Sequence, residues 1–355
     1  MQHTAVFTGG GSAGHVTPNL ALMRVLKDEG YQIHYIGTKA GIERRLVEAE
    51  GVSYHCVSAG KLRRYFSFKN VADVFRVLRG VGQSRKLIKK IRPDVLFSKG
   101  GFVSVPVVAG ARKLTNIVVH ESDYTPGLSN RIADKYAATV CVTFEDTLSH
   151  VGAKGVFTGT PIRRELYAGV PARGRRFTGL SGPKPVLLMM GGSQGAQAVN
   201  DALRAALPEL LKTFYIVHLC GKDKVSKVHA QPGYVQYEYI SEELPDLLAM
   251  ADIVLSRAGA NAVFEFLALK KPALLVPLPK SASRGDQILN ANYFAKKGYA
   301  AVLEQERMTP ETLTKALTGL YADRARYLDA MGKAPNADGT DAVLNVIRRA
   351  AEGKK

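Results

Sequence analysis

Short apolar runs and segments of helical periodicity alternate along this 355-residue chain, which is long enough for two domains. β-rich apolar runs predict strands at residues 4–8, 33–36, 95–98, 117–120, 140–143, 156–158, 186–190, 215–219, 235–239, 253–256, 273–276 and 300–302. Pro18 falls in a first helical turn, and Gly30 closes that segment. The alternation predicts the α/β class, with two doubly wound parallel sheets in tandem.

Two stretches interrupt this alternation. The Gly-, Pro- and Arg-rich residues 169–185 predict a linker or a surface loop beside one. A second break at 332–339 precedes an amphipathic segment, 341–351, which predicts a last helix.

Composition narrows the class of protein. With 46% hydrophobic and 23% charged residues the chain is typical of globular proteins. We expect no signal peptide, because the N-terminus lacks a basic leader, and no apolar run approaches the roughly 20 residues that cross a bilayer. Cys56, Cys141 and Cys220 lack metal-ligand spacing, and we expect three buried thiols in a reducing compartment.

A formal net charge of +18 indicates an anionic partner, which could be nucleic acid, anionic lipid or a phosphorylated substrate. Residues 61–92 hold eleven Lys or Arg and one acid, Asp73. Aromatic residues lie among the first of these cations, and an apolar stripe at helical spacing follows at 71, 74, 75 and 78. The stripe fits either a face of the core or a membrane-docking surface.

The sequence Gly-Gly-Ser-x-Gly occurs twice, at residues 10–14 and 191–195, each time after a predicted strand and before a predicted helix. Such a turn leaves backbone N–H groups at a helix N-terminus, where they can bind an anion, although the glycines could also serve only the turn. Neither copy matches the P-loop pattern, and the nicotinamide fingerprint is imperfect. Gly100-Gly101 supplies a third glycine pair at a strand end.

Candidate acid and base residues lie next to these loops. His15 follows the first loop, where the helix dipole would lower its pKa and leave a neutral base; a structural histidine is the alternative. A cluster at the end of the strand at 117–120, His120-Glu121-Ser122-Asp123, indicates a polar site, although Ser122 and Asp123 could equally be turn or cap residues. In the second half, Glu265 lies inside a helix and needs a polar partner, which could be a ribose diol or an arginine.

Seven ordered motifs together resemble the family 28 glycosyltransferases of peptidoglycan synthesis. The motifs are Gly10-Gly11-Ser12-Ala13-Gly14-His15 with Pro18, Gly100-Gly101-Phe102-Val103-Ser104 with Pro106, His120-Glu121, Gly159-Thr160-Pro161-Ile162-Arg163, Gly191-Gly192-Ser193-Gln194-Gly195-Ala196, Ser256-Arg257-Ala258-Gly259-Ala260, and Asp286-Gln287 with Asn290-Ala291. Members of this family transfer N-acetylglucosamine from UDP-GlcNAc to undecaprenyl-diphosphate-N-acetylmuramoyl-pentapeptide. Ser12-Ala13, Phe102, Ser122-Asp123 and Asp286 depart from the family's commonest residues.

The resemblance implies a GT-B fold, in which two Rossmann-like domains face each other across a cleft. It implies an acceptor-binding and membrane-associating domain at 1–162 plus 340–355, and a domain that binds UDP-GlcNAc at 163–339. It also implies a peripheral protein on the cytoplasmic face of the bacterial membrane, and no nucleic-acid partner. No tightly bound cofactor is implied, although a divalent cation could stimulate the reaction.

The resemblance also assigns roles to residues. It implies that His15 is the catalytic base, with Glu121 or Asp123 orienting or replacing it. The substrate-binding residues implied are Ser12, Ala13, Gly14, Asp123, Arg163, Ser193, Gln194, Ile240, Gly259, Ala260, Asn261, Glu265, Asp286 and Gln287. Among them, Ser193 and Arg163 would meet the donor phosphates, Ile240 the uracil, Glu265 the ribose and Gln287 the sugar hydroxyls.

Three other functions are compatible with parts of this pattern. Charge alone would suit a nucleic-acid-binding module, but no nucleic-acid motif is present and the glycine loops would be unused. The same fold would also suit a glycosyltransferase with another acceptor, such as diacylglycerol, or a UDP-sugar epimerase.

Overall fold

A computed structural model describes residues 2–60, 68–192 and 195–353, and the chain divides into two compact units. Unit 1 comprises Met1–Arg163 and Asp338–Lys355, and unit 2 comprises Arg164–Ala337. Each unit has one parallel sheet, and the central strands of both sheets are buried on most of their length. Continuous apolar strands are expected for parallel sheets, because helices cover both faces.

Within its described residues, unit 1 contains seven strands and six α-helices before the chain enters unit 2. The strands are β1 (Thr4–Thr8), β2 (Gln32–Gly37), β3 (Ser53–Cys56), β4 (Val95–Ser98), β5 (Asn116–Glu121), β6 (Thr139–Val142) and β7 (Gly155–Phe157). The helices are α1 (Thr17–Asp28), α2 (Ile42–Ala49), α3 (Phe68–Ile91), α4 (Ser104–Ala111), α5 (Leu128–Asp134) and α6 (Leu148–Val151). The strand order is β3-β2-β1-β4-β5-β6-β7.

Unit 2 repeats this plan with six strands, and the last helix of the chain belongs to unit 1. The strands are β8 (Val186–Met190), β9 (Tyr215–Leu219), β10 (Tyr234–Tyr237), β11 (Ile253–Ser256), β12 (Ala273–Leu275) and β13 (Ala300–Val302), in the order β10-β9-β8-β11-β12-β13. The helices are α7 (Pro171–Thr178), α8 (Gln197–Thr213), α9 (Leu244–Met250), α10 (Ala260–Ala268), α11 (Asp286–Lys296), α12 (Pro310–Ala322) and α13 (Arg324–Gly332), followed by α14 (Thr340–Glu352).

The final helix covers one face of the unit 1 sheet. Val343, Leu344 and Ile347 of α14 are fully buried in one apolar cluster with residues of α1, β1 and β4. The Asn116 side-chain amide at the start of β5 donates to the carbonyl oxygens of Ala350 and Gly353, at 2.8 and 2.7 Å. The amphipathic helix predicted at 341–351 is therefore present, and its apolar stripe faces the sheet.

The predicted strands are all present, whereas one strand was missed and two other expectations were wrong. All twelve predicted strands are present within two residues of their limits, but the half-exposed edge strand β3 was not predicted. The linker expected around 169–185 is wrong, because Pro171–Thr178 forms helix α7 within unit 2. Cys141 and Cys220 are buried as expected, but Cys56 at the end of β3 is exposed.

Both sheets reverse their strand order next to the first strand of the unit. In unit 1 the chain runs from β1 outward to β3, then returns to β4 on the other side of β1; in unit 2 the same reversal separates β8 from β11. The carboxyl ends of such a strand pair border a crevice, because the loops that follow them diverge in opposite directions. These two switch points are where the glycine loops lie.

Candidate active site

Two glycine loops touch each other at the switch point of unit 1. Gly101 follows β4 with a left-handed φ of 82°, and a Cβ atom built on it would lie 2.2 Å from the Gly10 carbonyl oxygen. The same position is 3.3 Å from Nδ1 of His15. Only glycine fits this contact without moving the backbone, so the first and third predicted loops form one surface around His15.

His15 ends a short 3-10 turn, Ala13–His15, and is half-buried. Its Nδ1 lies 2.9 Å from the Ser12 hydroxyl oxygen. The tautomer in which Nδ1–H donates to Ser12 carries a lone pair on Nε2. A base needs such a lone pair, and the contact with Ser12 therefore suits His15 for proton transfer.

A buried network supports the first loop from behind. The Tyr35 hydroxyl donates to the Gly9 carbonyl oxygen at 2.8 Å, and the Asn19 amide donates to the Thr8 carbonyl at 3.3 Å. Both side chains are fully buried, and burial raises the pKa of Tyr35. The loop is thus fixed by donors on its sheet side, and its opposite side faces outward.

Glu43 of α2 is a buried acid beside this loop that the sequence analysis missed. Its carboxylate accepts the Thr38 amide and hydroxyl at 3.2 and 2.5 Å, and a long hydrogen bond of 3.5 Å from the Gly11 amide. The protein's own carboxylate therefore meets part of the positive potential of the loop. Nothing in the sequence marked this residue, because its neighbours form an ordinary amphipathic helix.

Glu121 anchors the loop that follows β5. Its two oxygens accept the backbone N–H of Asp123 and Gly127 and the side-chain amide of Asn130, at 2.9, 3.0 and 2.9 Å. Burial, and then the Asp123 charge, raise the pKa of Glu121 to about 7. Three N–H donors on one buried carboxylate indicate that Glu121 shapes the segment 121–127.

His120 and Lys99 form a buried pair beneath this segment. The His120 Nε2 lies 2.9 Å from the Gly159 carbonyl oxygen, and its Nδ1 lies 2.7 Å from the Lys99 Nζ. Burial and the Lys99 charge lower the pKa of His120 well below its usual range, so the ring is neutral. Lys99 was also missed, although a lysine directly after a buried strand could have drawn attention to it.

The switch point of unit 2 has the same design. Gly192 and Gly195 adopt left-handed φ angles of 81° and 68°, and a Cβ on Gly195 would lie 2.0 Å from the Cys220 carbonyl oxygen. The Ser256 hydroxyl at the end of β11 donates to the Met190 carbonyl at the end of β8, at 2.9 Å. Ser193 and Gln194 lie outside the described residues, so their predicted roles stay predictions.

Helix α10 begins directly after the second loop of this switch point. Gly259 is its N-cap, and a Cβ on Gly259 would meet no atom within 4 Å. The buried Asn290 amide donates to the Ala258 carbonyl at 3.1 Å, which fixes the turn before the helix. The N–H groups of Ala260 and Asn261 start this helix, where the dipole favours an anion.

Four other residues predicted to bind the UDP-GlcNAc donor lie on α10, before α9 and at the start of α11. Glu265 is buried on α10, and Ile240 is buried in the loop before α9. Asp286 begins α11 and forms a 2.6 Å hydrogen bond with Arg284, and the Gln287 side-chain oxygen accepts the Leu278 amide at 3.1 Å.

The remaining predicted site residues belong to unit 1. Arg163 is half-buried and is the last residue of its first segment. Ser12 and Gly14 lie on the first loop together with the backbone of Ala13. Among residues 2–60, 68–192 and 195–353, no three His, Cys, Asp or Glu side chains are grouped as a metal site.

Comparison with known proteins agrees with the fold and with the motifs. The glycosyltransferase family 28 N-terminal domain matches residues 5–142, and the family 28 C-terminal domain matches residues 186–345. The chain is 54% identical over 347 residues to a protein of Lachnospira eligens, with 97% of this chain and 98% of that protein aligned. It is 53% identical over 356 residues to a protein of Geobacillus thermodenitrificans, with 99% and 100% aligned. Both relatives are named UDP-N-acetylglucosamine--N-acetylmuramyl-(pentapeptide) pyrophosphoryl-undecaprenol N-acetylglucosamine transferase.

Solved structures show the same architecture. Acinetobacter baumannii MurG has a TM-score of 0.79 at 25% identity, covering 98% of this chain and 100% of that one. The calicheamicin glycosyltransferase CalG4 has a TM-score of 0.71 at 18% identity, covering 99% of each chain, which is a likeness of fold alone. The predicted class of two Rossmann-like α/β units, the GT-B class, is confirmed. With both family domains matched and relatives more than half identical along nearly its whole length, this chain is a glycosyltransferase that belongs to family 28.

Proposed function

We propose that this enzyme is an inverting hexosyltransferase of peptidoglycan synthesis. It transfers N-acetylglucosamine from UDP-GlcNAc to the C4 hydroxyl of undecaprenyl-diphosphate-MurNAc-pentapeptide. The observation that carries the proposal is the pair of switch points, each with a glycine loop at its crevice, in a chain more than half identical to relatives named for this transfer. Two substrates that each carry a diphosphate account for two anion-binding loops.

Unit 2 would bind the donor. The start of α10 at Gly259, Ala260 and Asn261 offers N–H groups and the helix dipole to the UDP diphosphate, and open space at Gly259 allows a close approach. Buried Glu265 lies farther along the same helix, where a carboxylate can accept two hydrogen bonds from a ribose diol. Ser193 and Gln194, in the glycine loop after β8, would also contact the diphosphate.

Three more residues of unit 2 would contact the uracil and the sugar of the donor. The backbone of Ile240 would hold uracil, and Asp286 and Gln287 at the start of α11 would meet the sugar hydroxyls. Arg163 would supply positive charge to the departing diphosphate. The reaction would then need no tightly bound metal. A divalent cation would stimulate it by offsetting the negative charge of UDP.

Unit 1 would bind the acceptor and supply the base. The acceptor C4 oxygen forms a bond to the anomeric carbon while the bond from that carbon to UDP breaks, and the electron pair leaves on the phosphate oxygen. His15 Nε2 would take the C4 proton in the tautomer in which Nδ1–H donates to the Ser12 hydroxyl, a tautomer that the 2.9 Å contact allows. Ser12, Ala13 and Gly14 would meet the acceptor diphosphate on the same loop.

Glu121 and Asp123 would then have separate tasks. Glu121 already accepts three N–H groups, which favours a role in holding the segment 121–127. Asp123, half-buried at the start of that segment, is the carboxylate that would face the acceptor. This assignment keeps His15 as the base and uses Asp123 to orient the acceptor hydroxyl.

Helix α3 offers a surface for the membrane that holds the acceptor. Val74, Phe75 and Leu78 are 46, 68 and 61% exposed, so the alternative that these residues form a core face is wrong. Arg76 and Arg79 are exposed between them, and the acid of this stretch, Asp73, is buried and paired with Arg76 at 3.0 Å. An apolar and cationic face is suited to anionic lipid headgroups. The preceding basic and aromatic residues 61–67 lie outside the described residues.

We place the enzyme on the cytoplasmic face of the membrane as a peripheral protein, with anionic lipid and no nucleic acid as its partner. No helix in the described part of the chain is both long and apolar enough to span a bilayer. Docking through α3 would bring unit 1 to the surface from which the lipid-linked acceptor projects.

The direct test incubates the protein with labelled UDP-GlcNAc and a short-chain analogue of the lipid-linked acceptor. We expect label in the acceptor and release of UDP, with no product when the acceptor is omitted. Conversion of UDP-GlcNAc without acceptor would indicate an epimerase, and transfer to diacylglycerol alone would indicate a different acceptor class. Tight salt-sensitive binding of RNA with no transfer would support the nucleic-acid alternative.

Replacement of the base gives the second prediction. His15→Ala should lower kcat by about 10²- to 10⁴-fold, because proton transfer in the transition state loses its acceptor. UDP binding, measured by calorimetry, should stay unchanged, because His15 is assigned to the acceptor and not to the donor. Ser12→Ala should lower kcat less, since it only removes the partner of Nδ1. Turnover near the wild-type level in His15→Ala would show that another group is the base.

The third prediction concerns the ribose contact. Wild-type enzyme should bind UDP at least about tenfold more tightly than 2′-deoxy-UDP, because the deoxy sugar lacks one of the two hydroxyls proposed to donate to Glu265. Glu265→Gln should weaken UDP binding and abolish this preference. Glu311→Gln, an exposed acid on α12, serves as the matched control and should change neither value. A preference for UDP that survives Glu265→Gln would remove the ribose from the assignment of Glu265.

The fourth prediction concerns the membrane. The double variant Phe75→Ser, Leu78→Ser should sediment at least about tenfold less with vesicles that contain anionic lipid, because apolar burial in the interface is lost. Turnover with a water-soluble acceptor should persist. The control pair Val225→Ser, Val228→Ser removes exposed valines from unit 2 and should sediment like wild type. Binding that ignores the two α3 substitutions, salt and anionic lipid content would contradict docking by α3.

A further inference from the structure

Lys99 is a fully buried lysine that the proposed mechanism has not used. Its Nζ donates to Nδ1 of His120 and to the hydroxyl of Ser122, both at 2.7 Å, and to the hydroxyl of Thr160 at 3.2 Å. His120 lies near the end of β5, Ser122 follows β5 and Thr160 follows β7, while Lys99 itself follows β4. A single side chain thus ties the carboxyl ends of β4 and β5 to the loop after β7.

The three contacts fit an ammonium group. His120 Nε2 lies against the Gly159 carbonyl oxygen, so Nε2 carries the hydrogen and Nδ1 must accept. The hydroxyls of Ser122 and Thr160 can accept as well. Each of the three ammonium hydrogens therefore has an acceptor, and all three acceptors are neutral.

Because the direct partners are neutral, the compensating charge must come from farther away. Burial lowers the pKa of Lys99 to about 7, while the charges of Glu121 and Asp123 act in the opposite direction. Cys141 on β6 also faces Lys99, but burial raises its pKa to about 12 and it remains a neutral thiol. His120 is neutral too, so the charged groups around Lys99 are the two carboxylates.

The same two carboxylates need a cation in return. Glu121 and Asp123 repel each other, and their repulsion is part of what raises the pKa of Glu121 to about 7. The three N–H donors on Glu121 bind the ionised form and cannot be satisfied equally well by a protonated acid. A lysine ammonium below the segment 121–127 offsets this repulsion.

We propose that Lys99 is a positioning residue of the acceptor site. Its ammonium holds the Ser122 hydroxyl and keeps Glu121 and Asp123 ionised together, so that the segment 121–127 meets the acceptor with a fixed shape and a negative charge. Lys99 itself touches no substrate in this role, which rests on the proposed transfer reaction.

The role predicts a pH dependence with two limbs. Protonation of the carboxylates should reduce activity on the acid side, and deprotonation of Lys99 should reduce it on the alkaline side. Lys99→Met removes the cation, so the carboxylate pKa values rise and the acid limb moves to higher pH. Ser122→Ala keeps the cation but removes one of its acceptors, so the Lys99 pKa falls and the alkaline limb moves to lower pH.

The experiment measures kcat/KM for a short-chain lipid-linked acceptor at saturating UDP-GlcNAc, from about pH 6 to about pH 9.5, on the full chain. A carboxylate pKa raised by about one unit lowers activity up to about tenfold at the acid end. Lys99→Met should therefore lose about tenfold near pH 6.5 and approach wild type near pH 9, with the KM for UDP-GlcNAc unchanged. Lys99→Arg, which retains the charge, should leave the acid limb closer to that of wild type.

Lys271→Met is the matched control. Lys271 is a partly buried lysine of unit 2 that donates to the carbonyls of Ala249 and Ala251 at 3.0 and 2.9 Å. Its substitution removes a lysine from a similar environment and should leave the pH profile unchanged. A parallel shift in Lys271→Met, or a loss in Lys99→Met that is equal at every pH, would reduce Lys99 to a structural residue and overturn the proposal.

Two further measurements decide the outcome when the first variant does not fold or the wild type makes no product. An alkaline limb that stays in place in Ser122→Ala overturns the proposal without use of Lys99→Met. NMR of ¹³Cε-labelled lysine in the wild-type protein reports the Lys99 charge without turnover, and an uncharged Lys99 at pH 6 overturns it as well. If the wild type forms no product, the proposed transfer reaction is wrong instead. Failure of the transfer reaction and failure of the role of Lys99 can therefore be distinguished.

Discussion

The site in unit 1 depends on one close backbone contact, that of Gly101 with the Gly10 carbonyl. The 2.2 Å between that oxygen and a hypothetical Cβ leaves room for hydrogen alone, so β1 and β4 can deliver their loops to the same place. His15 lies beside this contact, and the Asn130 side chain, which donates to Glu121, packs against the neighbouring Gly100. A larger residue at position 101 would separate the loops, and no later element of the chain could restore their alignment.

In unit 2 a different glycine makes the corresponding close approach to a backbone carbonyl. Gly195 approaches the Cys220 carbonyl, and the Asn200 amide donates to that carbonyl oxygen at 2.8 Å. Asn200 in turn pairs with the fully buried His218 at 3.0 Å, and burial lowers the pKa of His218 to about 3. The neutral ring keeps this support free of charge near the place where a diphosphate would bind. Unit 1 instead places the carboxylate of Glu43 beside its loop.

The sequence predicted those features that depend on residue type along the chain and missed those that depend on packing. Buried parallel strands are continuous apolar runs, so they were found, whereas β3 is short and half-exposed and has no such run. Helix α7 was mistaken for a linker, because its arginines and glycines are typical of loops. Two residues that mark the ends of the helix were therefore overlooked. Pro171 occupies its first turn and Gly179 its left-handed C-cap. Asp246 of α9 pairs with Arg173 at 2.9 Å and attaches the helix to unit 2.

The same distinction explains the candidate site. His15 and Glu121 became candidates because they lie at the end of a strand or in the loop after one, where parallel sheets expose ligand-binding loops, and their catalytic roles stay predictions. Lys99 follows a strand end too, but the sequence could not show that it is buried, and Glu43 and Asn290 lie inside helices. The role of a buried polar group depends on partners that are distant in sequence. Lys99, for example, donates to Thr160, 61 residues away.

These buried groups suit a reaction that proceeds without a covalent enzyme intermediate. A direct displacement relies on groups that are oriented before the substrates meet, since no enzyme bond holds an intermediate in place. Surface charges could not provide that orientation, because water and salt would screen them and their side chains would move. Burial makes each charge costly, and it persists here because the ammonium of Lys99 and the carboxylate of Glu121 each have three hydrogen-bond partners. These partners hold the segment 121–127 in one conformation before a substrate arrives.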